Sequence, residues 1–214
     1  FVQNVSLPYL CAMINEQQEK WLRQTEVLFL RYGTKSLNMD DIARELGISK
    51  KTLYQFVENK DDLVRKVLER YISSEKNMCT TEFLKAENAI EEMKIVIEMN
   101  SVQLSHMKAN LVFDLQRYHR DTWNMMMEFK QGFLYKVVRA NLERGINEGV
   151  YRSDLNVDIV TKLHISASFQ LFDEDLFPSA EYSRAVIFKE YLRHYLYGIM
   201  SEKGIAIFNQ LSNK

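Results

Sequence analysis

The sequence predicts an all-α protein, and three observations carry that prediction. Its two prolines, Pro8 and Pro178, stand near the ends of the 214-residue chain, so the long interior has no proline to break a helix. Glycine is scarce, at seven residues. Apolar residues recur at helical spacing behind Asn and Ser residues suited to N-capping. At 46% hydrophobic and 27% charged, the chain can bury a sizeable core in one or two domains. The formal net charge is −1, so any contact with nucleic acid has to be local.

Residues 1–15 are set apart as a leader. The opening FVQNVSLPYLCA is mildly apolar, lacks the basic stretch of a secretory signal, and precedes a candidate start at Met13. Cys11 and Cys79 fit no metal-ligand spacing and read as free thiols of a reducing compartment, which suggests a cytoplasmic protein. No apolar run approaches the roughly 20 residues of a membrane span, so no membrane partner is expected.

A first helix is predicted over Glu16–Tyr32, with Trp21, Thr25, Leu28 and Tyr32 on one face and Leu22 and Phe29 beside it. Gly33 ends it. Asn38 is placed to cap a short second helix, Met39–Leu46, with Asp40 and Asp41 in its first turn, where carboxylates suit the helix dipole. Gly47 stops that helix. Ser49 caps a third, which ends near Phe56 or Val57. Asn59 caps a fourth, with Asp61 and Asp62 in its first turn and an apolar stripe of Leu63, Val64, Val67, Leu68 and Tyr71, running to about Glu75. Over residues 31–71 there are nine Lys/Arg against seven Asp/Glu, a local surplus of two positive charges.

The joint MDDIARELGISKKTLYQF has the makings of a helix-turn-helix. Ala43 is small enough for a second helix to approach, Gly47 turns the chain, and Leu46, Ile48 and Leu53 fill the crook. The third helix then offers Lys50, Lys51, Thr52, Gln55 and Phe56 outward, beside Ser49 and its N-terminal amides. Lysines supply salt-dependent attraction to phosphates, Thr and Gln can reach base edges in the major groove, and Tyr54 can reach a phosphate through its hydroxyl. Two consecutive lysines at a helix start oppose the helix dipole, which makes sense when an anion faces them.

This stretch resembles the DNA-binding module of the TetR (tetracycline-repressor) family over about residues 17–72. The resemblance lies in Gly33, the DIA of 41–43, the LGIS of 46–49, the LY of 53–54, and Lys60 with Leu63. RGINEGVYRSDL at 144–155 is similar to the turn before the family's dimerisation helices. The resemblance implies a helix-turn-helix head (16–58), a linker helix (59–78) and a helical ligand-binding and dimerisation domain (79–214). It implies DNA contacts at Asn38, Ser49, Lys50, Lys51, Thr52, Tyr54, Gln55, Phe56 and Lys60. One departure stands out. The family's usual His or Tyr followed by Phe is here Phe56 followed by Val57, and Phe56 cannot donate to a phosphate.

The remainder reads as longer helices over about Thr81–His106, Ala109–His119, Asp121–Glu148, Asn156–Phe172 and Tyr182–Glu202, with the acidic FDEDLFPSA as a late linker. Its Met and aromatic residues suit either core packing or an adaptable apolar cavity. Trp123, Met126 and Phe133 are the pocket candidates, with a small apolar ligand implied. Val186, Tyr191, Tyr195 and Ile199 fall near one face of the last helix, as a core stripe or as a two-fold interface, and the resemblance favours the interface. His106, His119, His164 and His194 have no metal-binding spacing, and no acid–base constellation suggests an enzyme, so no cofactor is expected. The function implied is that of a homodimeric regulator on double-stranded, palindromic operator DNA, probed in grooves about 34–36 Å apart. It would be a repressor released by ligand. The alternative is a DNA-binding protein of the same kind without an inducer, controlled by a partner or acting architecturally.

Overall fold

The computed structural model describes residues 16–105 and 111–212. The leader with Cys11 and Met13, and the positions of His106 and Met107, lie outside the described residues. Among the described residues the secondary structure is helical, and one isolated antiparallel bridge pairs Tyr151 with Met200.

Four helices build the N-terminal unit: α1 (Glu16–Tyr32), α2 (Met39–Glu45), α3 (Lys50–Phe56) and α4 (Lys60–Thr81). Their ends follow the predicted caps. Gly33, at φ 77°, closes α1 by donating its N–H to Phe29 O at 2.9 Å. Asn38 forms a reciprocal capping box with Asp41, Ser49 accepts from the Thr52 amide, and Asn59 accepts from the Asp62 amide. Leu22, Phe29, Ile42, Ala43, Leu53, Val57 and Leu63 form one buried core. The buried residues of α1 are Leu22, Thr25, Phe29 and Leu30, so its inner face is turned by about one residue from the predicted stripe, and Tyr32 points outward at 47% exposure.

The rest of the chain forms α5 (Ala89–Ser105), α6 (Leu111–Tyr118), α7 (Arg120–Phe129), α8 (Tyr135–Asn147), α9 (Val157–Gln170), α10 (Arg184–Ile199) and α11 (Glu202–Ser212). Here α10 packs along α5, and α8 along α9. Three boundaries differ from the sequence expectation. First, α4 continues past Glu75 to Thr81 because Met78 turns into the interior, and α5 starts only at Ala89, where Asn88 accepts from the Ile90 and Glu91 amides. Second, the predicted long helix after Asp121 is interrupted by a π-helical turn, Lys130–Leu134.

Third, the predicted helix to Glu202 breaks at Met200, whose ψ of 144° is extended. The break is held by the segment before α9. Arg152 N–H donates to Ile199 O at 2.9 Å, Ser201 N–H to Val150 O at 3.0 Å, and Ser201 Oγ to Gly149 O at 2.7 Å. Ser201 then accepts from the Gly204 amide at 3.2 Å and starts α11. Gly204 is needed at this crossing, since a Cβ there would lie 2.0 Å from Val150 O.

Candidate nucleic-acid interface and internal cavity

The short joint between α2 and α3 sets the angle of the outward surface. Gly47 adopts φ 68°, and the Gly47 and Ile48 amides donate back to Arg44 O and Ala43 O at 3.1 and 3.0 Å. Ala43 and Leu53 are buried at the crossing. The opposite side of α3 is exposed: Ser49, Lys50, Lys51, Tyr54 and Gln55 all face solvent. This is the arrangement of a helix-turn-helix, with α3 as the presented helix.

The predicted contact residues differ in how free their side chains are. Lys51, Tyr54 and Gln55 are exposed. Lys50 Nζ lies 2.8 Å from Asp40 Oδ2, and that pairing holds its pKa above the usual lysine value. Half-buried Thr52 has its hydroxyl 2.8 Å from Ser49 Oγ, so both side chains are engaged in the cap. Asn38 uses its carbonyl oxygen to cap α2. Half-buried Phe56 lies 6.1 Å from Trp21 between ring centroids, and Lys66 Nζ stands 6.0 Å from its ring centre. The aromatic side chain therefore packs α3 onto α1. Lys60 is half-buried, and burial lowers its pKa.

A second feature lies inside the helical body. A cavity of about 310 Å³ is walled by Val64, Leu68 and Tyr71 of α4, Met93 of α5, Leu115 of α6, Trp123 and Met126 of α7, and Phe169 and Tyr191 further on. Trp123 packs edge-on against Phe169 at 5.8 Å. Of the three predicted pocket residues, Trp123 and Met126 line the cavity and Phe133 does not. The π turn admits an extra residue and carries Phe133 away, where it stacks on Phe129 at 5.6 Å under Lys76.

The wall also holds polar groups that local sequence patterns did not single out. Glu26, Glu75 and Glu92 line it, and among the described residues none of the lining side chains is Lys or Arg. Glu26 is paired with Arg70, and Glu92 with Arg144 and Asn141. Among the described residues Glu75 has no ion pair or hydrogen bond. Burial, with the Glu26 charge adding to it, pushes its carboxyl up to about 7. Burial also pulls His164 down to about 4, so its ring is neutral where Nδ1 meets the Tyr191 hydroxyl at 2.8 Å.

The outward apolar positions of the late helices are Ile159 and Leu163 on α9 and Val186 and Tyr197 on α10, from 43% to 64% exposed. Only Val186 of the predicted α10 stripe is among them. Tyr191 and Tyr195 turn inward around His164, at 5.5 and 4.1 Å between ring centroids, and Ile199 is buried.

Comparison with known proteins agrees with this geometry. Residues 22–67 match the model of bacterial regulatory proteins of the tetR family. The chain is 28% identical over 144 residues to YvaF, an HTH-type transcriptional regulator of Bacillus subtilis, covering 65% of this chain and 73% of that protein. A TetR-family regulator from Agrobacterium tumefaciens superposes with a TM-score of 0.69 at 18% identity, over 86% of this chain and 98% of the other. FadR of Bacillus subtilis in complex with stearoyl-CoA gives 0.63 at 15% identity, over 84% and 98%. The fold and the exposed α3 define a helical DNA-binding regulator. Over residues 22–67 the chain matches the tetR family of bacterial regulatory proteins, and as a whole it shares the fold of TetR-family regulators. Among the described residues no helix is long and apolar enough to cross a membrane, and no group of His, Cys, Asp and Glu is gathered to hold a metal ion.

Proposed function

We propose that the protein is a cytoplasmic repressor acting as a homodimer. Each head, residues 16–58, sets α3 into a major groove of a palindromic operator, and a small, largely apolar ligand in the body releases it. One observation carries the ligand-release reading. Val64 and Val67 of α4 belong both to the buried core of the head and to the wall of the cavity. A ligand that spreads that wall acts on the helix against which the head packs. If it binds better to a head spacing that misfits the operator, it must weaken operator binding by the same factor. The linker of this scheme is residues 59–78, the larger part of α4.

Lys50, Lys51, Tyr54 and Gln55 are the side chains best placed for DNA, with Ser49, Thr52, Asn38 and Lys60 at the edges. Phe56 supports α3 through Trp21. The apolar surface of Ile159, Leu163, Val186 and Tyr197 is the proposed dimer contact, in keeping with the exposed patches that mark protein interfaces. FadR was solved with stearoyl-CoA, which supports an internal apolar ligand in this fold.

Fluorescence anisotropy with the palindrome from the neighbouring promoter tests the reading. Lys50→Ala is expected to weaken binding about equally on all sequences and reduce the salt slope by about one. Unchanged affinity and slope would remove α3 as the DNA-facing helix. A regulator that no cavity-filling molecule displaces from DNA would be the partner-controlled or architectural alternative.

A further inference from the structure

We propose that the cavity takes an apolar ligand carrying a protonated amine, and that Glu75 receives the ammonium group. The inference rests on the cavity being the ligand site and adds the ligand's chemical class. Its basis is a charge imbalance in the wall. Among the described residues three glutamates line the cavity and no lysine or arginine does. Arg70 and Arg144 approach from outside the lining and are committed to Glu26 and Glu92. Glu75 alone has no partner among the described residues.

A carboxylate in such a place is costly unless something pairs with it. Among the described residues the groups near Glu75 offer no cation: Glu26 on α1, and Tyr71 and Cys79 one turn to either side on α4, with Glu92 of α5 next to Cys79. Burial pushes the Cys79 thiol up to about 11, so it too stays uncharged near neutral pH. The unfilled role is that of a cation or strong donor, and the surrounding wall of Leu68, Met93, Trp123 and Met126 provides for the rest of the ligand. The volume of about 310 Å³ lies at the lower end of the range of about 300–1,000 Å³ for small-molecule sites. Among the described residues an anionic ligand would meet three carboxylates and no lysine or arginine.

The test uses the full-length dimer and three probes of one chain length: octylamine, octanol and octanoate, with binding read by calorimetry near neutral pH. Octylamine is expected to bind about tenfold more tightly than octanol, as a charge-assisted hydrogen bond allows, with octanoate weakest. Glu75→Gln should abolish the preference of the amine over octanol, and a cooperative urea unfolding transition shows that the variant is folded. Octanol or octanoate binding as tightly as the amine, or an amine preference that survives Glu75→Gln, would overturn the inference while leaving the cavity a ligand site. Failure of all three probes to bind either protein would count against the cavity as a ligand site, and the inference would fall with it.

Discussion

His119 Nδ1 lies 2.5 Å from Asp61 Oδ1, joining the start of α7 to the start of α4. The imidazole is buried, with its Nε2 3.0 Å from Thr34 Oγ1 in the turn after α1. Asp114 of α6 completes the cluster, accepting from the Thr34 hydroxyl at 3.2 Å and the Lys35 amide at 2.9 Å. The side chains that line the cavity from α6 and α7 thus stand on helices hydrogen-bonded to the head. His119→Leu keeps much of the volume and removes both ring nitrogens. Unfolding in urea is expected to show a loss of about 1–2 kcal/mol, the net value of the two hydrogen bonds that the ring makes, while Thr34 keeps its bond to Asp114. An unchanged midpoint would mean that packing alone holds the joint.

The ion pair between Lys50 and Asp40 is exposed on both sides, at 52% and 62%, and so adds little to stability. Its expected effect is on DNA binding, because Asp40 holds the ammonium that a phosphate would otherwise take. Asp40→Asn is expected to raise operator affinity a few-fold on all sequences, with thermal stability changed by no more than about 0.5 kcal/mol. Anisotropy titrations at two salt concentrations, with a melting curve, separate the two effects.

Gly145 and Tyr151 are matched in space. A Cβ at position 145 would lie 2.0 Å from Tyr151 Cδ2, inside a fully buried ring. The Tyr151 hydroxyl reaches Asn141 Oδ1 at 2.9 Å and Ala89 O at 3.2 Å, tying α8 to α5. Gly145→Ala is expected to destabilise by about 1–3 kcal/mol through overpacking, and Tyr151→Phe by about 1 kcal/mol through the lost hydrogen bonds. Chemical denaturation measures both. A neutral Gly145→Ala would show that the ring can move aside.

These cases separate what local sequence can reveal from what it cannot. The caps at Asn38, Ser49, Asn59 and Asn156 act within three residues, and each was readable from the side chain and its neighbours. The outward α3 residues followed from the same short range. The break at Met200 depends on a segment fifty residues earlier, and the departure of Phe133 on a π turn that has no helical period of its own. The Thr34–His119 contact spans 85 residues, and the isolation of Glu75 is a property of everything around it. Phe56 shows the mixed case. Its departure from the family pattern was visible in the sequence, and its packing on Trp21 needed the fold.

Glu75 gives a pH dependence with a definite sign. Its carboxyl is raised from an ordinary value near 4.5 to about 7 in the folded protein, first by burial and then by Glu26. Between those values the native state holds a proton that the unfolded chain has released, so stability falls as the pH rises through the window. The cost is absent below about 4.5 and complete above about 7. Glu75→Gln removes the ionisation while keeping the shape. Relative to the unsubstituted protein it should therefore gain little at pH 5 and up to about 3 kcal/mol at pH 8. Urea denaturation of both proteins at the two pH values, without ligand, measures the difference. A gain equal at both values would place the Glu75 carboxyl in contact with water and outside the low-dielectric wall of the cavity.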